Sequence, residues 1–166
     1  MKVDVVRLEV PALPEYLALA RMVVAGTARI DPLLDDERVD DLRLIVSEAC
    51  TNAIEAMRDR ASSNDADGPD ADGTDRDWAV AMRVECRLGA SRVEVVVEDR
   101  GNGFDPEALD ALPSVTDPSR LTVERGLGLP LIRTLSDEYD ITSGSTGTRV
   151  WAALYAAAAA PPPDAL

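Results

Sequence analysis

From Asp36 to about Arg60, apolar or small residues recur at Val39, Leu42, Ile45, Val46, Ala49, Ala53 and Met57, in steps of three and four. That period marks a long helix with a single buried stripe, and Asp35 or Asp36 can cap its start. Glu48 and Asn52 sit four residues apart on this helix, so their side chains stack on one face beside the stripe. Alone, such a pair reads as two solvated helix residues. Asn is a mediocre helix former, however, and two glycine-rich loops downstream offer a reason for it: coordination of a metal through its amide oxygen.

Before this helix, residues 3–10 alternate, with Val6, Leu8 and Val10 on one face and Arg7 and Glu9 on the other, as a strand that Pro11 ends. Pro14 suits a first helical turn. Leu17, Ala20, Val24 and Ala28 then form a helical stripe to about Arg29, with Arg21 just off it, and Asp31-Pro32 breaks the chain. After the long helix, residues 61–77 hold Ser62, Ser63, Gly68, Pro69, Gly73 and six aspartates, the composition of a flexible insertion. A calcium loop starting at Asp65 fails on spacing, because Pro69 and Asp70 fall where an acidic or amide ligand and the turn glycine belong.

Trp78 to Leu88 alternates strictly, with Val80, Met82, Val84, Cys86 and Leu88 on one face and Arg83, Glu85 and Arg87 on the other. This is a one-sided strand. Gly89-Ala90 turns the chain into a partner strand, Arg92 to Asp99, with Val93, Val95 and Val97 inward. Period two places Asp99 inward as well, where a carboxylate is costly unless something hydrogen-bonds it. Arg100-Gly101-Asn102-Gly103-Phe104 follows at once, and its glycines permit close approach of the backbone to a ligand.

Beyond Asp105-Pro106, Glu107 to Leu112 reads as a short helix and Pro113 to Glu124, with weak periodicity, as a mobile lid. Arg125-Gly126-Leu127-Gly128-Leu129-Pro130 then leads into a helix to about Ser136 that buries Leu129, Ile132 and Leu135. Glycines at a helix N-terminus make an anion site. A hairpin of Tyr139 to Thr142 and Thr148 to Leu154, turning at Ser143 to Gly147, completes the fold, and Ala156 onward, with Pro161-Pro162-Pro163, reads as a tail.

The 166 residues suit one domain. With 17 basic and 31 acidic residues the net charge is −14, which argues against general binding to nucleic acid or an anionic membrane. Cys50 and Cys86 lack metal or disulfide-framework spacing, the N-terminus lacks a secretory apolar region, and no apolar run approaches ~20 residues. The expectation is a soluble protein of the reducing cytoplasm. No histidine occurs, which excludes any mechanism needing an imidazole from this chain.

A helix carrying Glu and Asn, a strand ending in Asp-x-Gly-x-Gly, a lid, Gly-x-Gly opening a helix, and a strand entered through Gly147-Thr148 follow one another in this order. Over residues 5–155 the chain thereby resembles the Bergerat-fold (GHKL) ATPases, which include gyrase, histidine kinases and MutL. Ser47-Glu48-Ala49, Thr51-Asn52-Ala53 and Gly126-Leu127-Gly128-Leu129 look most like the anti-sigma factor serine kinases of the RsbW and SpoIIAB type. The resemblance implies an α+β two-layer sandwich, with a mixed, mostly antiparallel sheet and helices on one face. It implies one ATP-binding kinase domain over residues 1–155; the flexible acidic insertion at 61–77 departs from the family, and residues 156–166 read by composition as a disordered tail.

The resemblance also implies roles. Asp99 would accept from the adenine amino group; guanine would present a carbonyl there and leave a buried carboxylate unpaired, at roughly 1–3 kcal/mol. Gly101 and Gly103 would let the loop lie against the nucleotide, Gly126 and Gly128 would offer N–H groups to the phosphates, and Thr148 would lie near the adenine. Asn52 would hold Mg²⁺, Arg125 would clamp the γ-phosphate, and Glu48 would be the catalytic base. Arg21 matches an arginine that contacts the anti-anti-sigma partner. The implied partners are a sigma factor and a small STAS-type antagonist, and the implied assembly is a homodimer. Two alternatives stay open: a non-catalytic protein that uses ATP to gate the capture of a regulator, and a partner-switch kinase that touches no sigma factor. A histidine kinase fragment is disfavoured because the phosphoacceptor histidine is absent.

Overall fold

Two helices of very different length are laid across one antiparallel sheet, and a third, short helix closes the side. The computed structural model describes residues 4–31, 33–64, 81–103 and 128–156. In chain order these are β1 (Asp4–Pro11), a 3-10 turn (Pro14–Tyr16) that runs into α1 (Leu17–Ala28), α2 (Asp36–Asn64), β2 (Ala81–Leu88), β3 (Arg92–Glu98), α3 (Gly128–Leu135), β4 (Glu138–Gly144) and β5 (Gly147–Tyr155). The sheet order is β1-β2-β3-β5-β4, and all four pairings are antiparallel. The sheet is therefore more uniform than the mixed one expected: no parallel pair occurs among the described residues. Two helical passes, rather than one, separate β1 from β2 and return the chain in the opposite sense.

Period two sorts the strands into two faces. Leu8, Val84, Val97, Val150 and Ile141 are register partners in a single row across all five strands, on the face that the helices cover. α1 packs over β1 and β2, α2 over β3 and β5, and α3 against α2 and β4. Leu42, Ile45, Met82, Ile132 and Leu154 are the largest fully buried side chains, each stabilising the fold by about 1.5–3 kcal/mol through burial. On α2, every residue of the stripe from Val39 to Met57 is buried, together with Cys50 and Ile54. Burial pushes both cysteine thiols up to about 12, so neither is a thiolate near neutrality.

The opposite face carries charge. Glu85, nearly buried, accepts from Arg7 Nε at 2.6 Å and Arg87 Nε at 2.5 Å. Burial alone would raise its pKa, but the two guanidinium groups outweigh that and hold it below the usual glutamate value.

Asp35 caps α2, its Oδ1 accepting from Arg38 N at 2.8 Å. The helix runs past the expected boundary, so Ala61 to Asn64, assigned to the insertion on composition, are helical. Ala61 and Ser62 are exposed, and a helix already held by its buried stripe can be extended by such a turn without core contacts. The rest of the acidic insertion, Trp78 to Val80, the short helix and lid expected over 107–124, and the tail beyond Ala156 lie outside the described residues. Among the described residues no helix is long and apolar enough to cross a membrane.

Candidate functional site

Asp99 follows β3 directly and continues its ladder: its N–H donates to Thr148 O at 2.9 Å. Its Oδ1 accepts from Gly101 N at 2.7 Å and from Thr148 N at 3.3 Å. The carboxylate thus sits half-buried in the inner row, as period two requires, and both bonds fall on one oxygen. Among the described residues Oδ2 keeps its acceptor capacity. Burial raises the Asp99 pKa, and the N–H groups of Gly101 and Thr148 offset only part of that rise. Thr148 is itself buried, with its hydroxyl 2.9 Å from Ser143 Oγ.

Four contacts hold Asp99 and the loop after it. Gly101 packs on α2 so closely that a Cβ there would lie 2.6 Å from Ala56 Cβ and 2.8 Å from its carbonyl carbon. Gly103, at φ +66°, lies against the backbone of Gly144, and Gly147, at φ +131°, against the carbonyl of Asp99. Both conformations belong to glycine, and either close approach would end with a side chain. Arg60 Nη1 donates to Arg100 O. The sequence reading missed Ala56, Arg60 and Gly144 as partners of this loop. Ala56 stands four residues after Asn52, and a small residue there is the one signal that could have pointed to it.

Glu48 and Asn52 converge with the third motif. A Cβ on Gly128, the first residue of α3, would lie 2.7 Å from Glu48 Oε2 and 3.3 Å from Asn52 Nδ2. Asn52 Nδ2 is buried with no hydrogen-bond partner among the described residues. An orphaned polar atom costs about 1–3 kcal/mol, and a half-turn of the amide exchanges its nitrogen and oxygen, so this position fits a bound group that engages the amide. Among the described residues no three acidic or cysteine side chains gather for a metal. A cation held by one amide together with phosphate oxygens needs no such cluster.

Five of the expected residues therefore belong to one wall: Glu48 and Asn52 on α2, Gly128 on α3, and Asp99 and Gly101 on the loop that packs against α2 one turn beyond Asn52. Gly103 and Thr148 complete the Asp99 end. Arg125 and Gly126 lie outside the described residues. Arg21 is exposed on α1, apart from this wall. A cleft of about 320 Å³ opens at the Asp99 end: Asp99 and Thr148 line it together with Glu9, Arg83, Glu98 and Arg149, whereas Glu48, Asn52 and Gly128 do not.

An antiparallel sheet covered by helices on one face, with a Glu/Asn helix, an Asp-Gly loop and a glycine-led helix brought together beside its central strands, has the architecture of the histidine kinase-like ATPase class. The histidine kinase-like ATPase domain matches residues 10–154. A relative in Bacillus velezensis named serine-protein kinase RsbW is 34% identical over 149 residues, which cover 86% of this chain and 81% of the relative. The chain belongs to the histidine kinase-like ATPase family and, within it, to the RsbW serine-protein kinases. The fold is shared with the RsbU and RsbW domains of Rv1364c from Mycobacterium tuberculosis, at 17% identity and TM-score 0.59 over 92% of this chain and 32% of that one. It is shared too with the SiaB-SiaC complex from Pseudomonas aeruginosa, at 14% identity and TM-score 0.56 over 90% of this chain and 88% of that one.

Proposed function

We propose that this chain is an ATP-dependent serine/threonine protein kinase that acts as an anti-sigma factor in the cytoplasm, binding a sigma factor and phosphorylating a small STAS-type antagonist. The observation that carries the proposal is the convergence of Glu48, the orphaned amide of Asn52 and Gly128 within contact distance of one another. The relatives' name as serine-protein kinases supports the reaction type.

The geometry of the described residues and the family support the following roles. Asp99, with one carboxylate oxygen occupied by backbone donors, offers the other to the amino group of adenine, and Thr148 fixes its orientation through two backbone bonds. Gly101 and Gly103 keep the loop thin. Gly128, with Gly126 before it, presents N–H groups to the phosphates at the positive end of α3, and Arg125 adds a cation near the γ-phosphate. Asn52 would hold Mg²⁺ by its amide oxygen, and the ion when bound would neutralise phosphate charge. In the transfer, a hydroxyl oxygen of the antagonist forms a bond to the γ-phosphorus, the bond from that phosphorus to the bridging oxygen breaks, ADP leaves, and the hydroxyl proton passes to Glu48. Arg21, exposed on α1, contacts the antagonist. The working assembly is a homodimer.

The test is capture from the source cell's lysate with this protein as bait, followed by radiolabelled ATP and Mg²⁺. Label on a serine or threonine of a small captured protein, alongside a sigma subunit, is the expected result. Label without any sigma subunit would leave a partner-switch kinase acting elsewhere, and capture without label would leave an ATP-gated binding protein.

A further inference from the structure

The N-terminus of α3 is where the proposed phosphates bind, but α3 spans only eight of the described residues. Isolated helices shorter than about 12–15 residues are marginal in water, so its placement depends on what holds it. Leu129 and Ile132 are buried under it, which fixes its rotation but leaves its ends to other contacts. Its C-terminal end is held by one side chain of α2. Arg38 Nη1 donates to Leu135 O, the last carbonyl of α3, at 3.1 Å and to Asp41 Oδ2 at 3.2 Å, and Nη2 donates to Asp137. Asp137 in turn accepts from Tyr155 N at 2.7 Å and donates its own N–H to Ala153 O at 3.0 Å, so the far side of the clamp is the β4–β5 ladder.

α3 runs antiparallel beside α2, with Leu135 at Arg38 and Gly128 at Glu48 and Asn52. At 1.5 Å per residue the two contacts are roughly 10 Å apart along α3. A guanidinium also suits a helix C-terminus, where unpaired carbonyls carry partial negative charge. We infer that Arg38 is a positioning residue for the phosphate end of the nucleotide site: it pins α3 at its C-terminus, and through the helix it keeps Gly128 against Glu48 and Asn52. This rests on reading that wall as the nucleotide site. Arg38 touches no substrate, and its effect falls on phosphate contacts and not on the Asp99 end.

The experiment compares the full chain with Arg38→Ala, Arg38→Lys and, as a control, Arg43→Ala, a partly exposed arginine of α2 paired locally with Asp40. Affinity is measured for ATP with Mg²⁺ and for adenosine, and amide hydrogen exchange is followed over residues 129–135 without nucleotide. Arg38→Ala should weaken ATP binding by about 10- to 100-fold, leave adenosine binding unchanged, and speed exchange in α3 while exchange in β2 and β3 stays slow. Arg38→Lys, which keeps the charge but lacks the planar guanidinium fork that spans the separated acceptors, should lie between. Equal losses for ATP and adenosine would make Arg38 merely structural, and unchanged ATP affinity with unchanged α3 exchange would remove the clamp. If Arg38→Ala does not fold, the same comparison on Arg38→Lys decides. Failure of the unaltered chain to bind ATP would instead overturn the nucleotide reading itself.

Discussion

Gly128 and Glu48 are so close that a single methyl group at 128 would stand 2.7 Å from Glu48 Oε2. One belongs to the long second helix and the other opens a short helix 80 residues later (128 − 48), yet each sets the space available to the other. The obstructing atom is the far end of a flexible side chain, so Gly128→Ala should fold. The cost should fall on function: Glu48 must turn aside and Asn52 Nδ2, 3.3 Å away, must give. Phosphoryl transfer is expected to drop about 10- to 100-fold with a melting midpoint within a few degrees of the parent, as steady-state kinetics and calorimetry would read.

Gly101→Ala meets a different obstacle. Its Cβ would lie 2.6 Å from Ala56 Cβ and 2.8 Å from a backbone carbon of α2, and a helix backbone cannot step aside. Overpacking of this kind costs about 1–3 kcal/mol. Denaturant titration should show that loss, together with loss of ATP binding, because Gly101 N is the nearer donor to Asp99. Adding Ala56→Gly should recover only part of it, since the backbone contact remains; full recovery would place the clash on the side chain alone.

Asp99→Asn separates stability from binding. The amide oxygen can still accept from Gly101 and Thr148, and a half-buried charge disappears, so the melting midpoint in the absence of nucleotide should stay level or rise. ATP binding should be abolished, because an amide cannot offer two acceptors. Retained micromolar affinity would remove the adenine assignment.

The same residue sets a pH dependence. Its folded-state pKa is raised by burial, less the effect of two backbone N–H groups. The folded state therefore binds the proton more tightly than the unfolded chain, whose aspartate titrates near ~3.9. Asp99 withdraws stability as pH rises from there through the folded value, and the deficit persists above it. Binding has the opposite sign, since adenine needs the carboxylate. ATP affinity should fall as pH drops through the raised pKa, beginning above the ordinary aspartate range, as isothermal titration across that range would show.

Glu48→Gln keeps the size and the hydrogen-bonding reach of the side chain but not its basicity. Mg-ATP binding should survive, and transfer to the antagonist should fall by about 10² to 10⁴. Full activity in this variant would mean that the proton leaves by another route.

Much of the fold was legible because burial is periodic. The α2 stripe, the alternation of Met82 to Leu88 and of Val93 to Val97, and the inward position of Asp99 all follow from which face of an element meets the core, and each lies where its period puts it. The end of α2 was less legible. Ala61 and Ser62 are exposed, so no burial period marks them, and the polar composition of Ala61 to Asn64 matches a loop as well as a helical turn.

Within the site, residue types announced themselves and contacts did not. Glu48, Asn52, Asp99 and the glycines are visible as motifs because each motif is local in the chain. That Gly128 faces Glu48, that Gly101 rests on Ala56 and that Arg38 holds the end of α3 could not be read there, since these pairs are separated by 45 to 97 residues (101 − 56, 135 − 38). Local sequence determines which face of each element is apolar and which residues can bond, because backbone period and side-chain chemistry act over a few residues. Which faces meet, at what height and with how much room, was decided by the packing of α2 and α3 on the sheet, where close approach depends on the absence of a single Cβ.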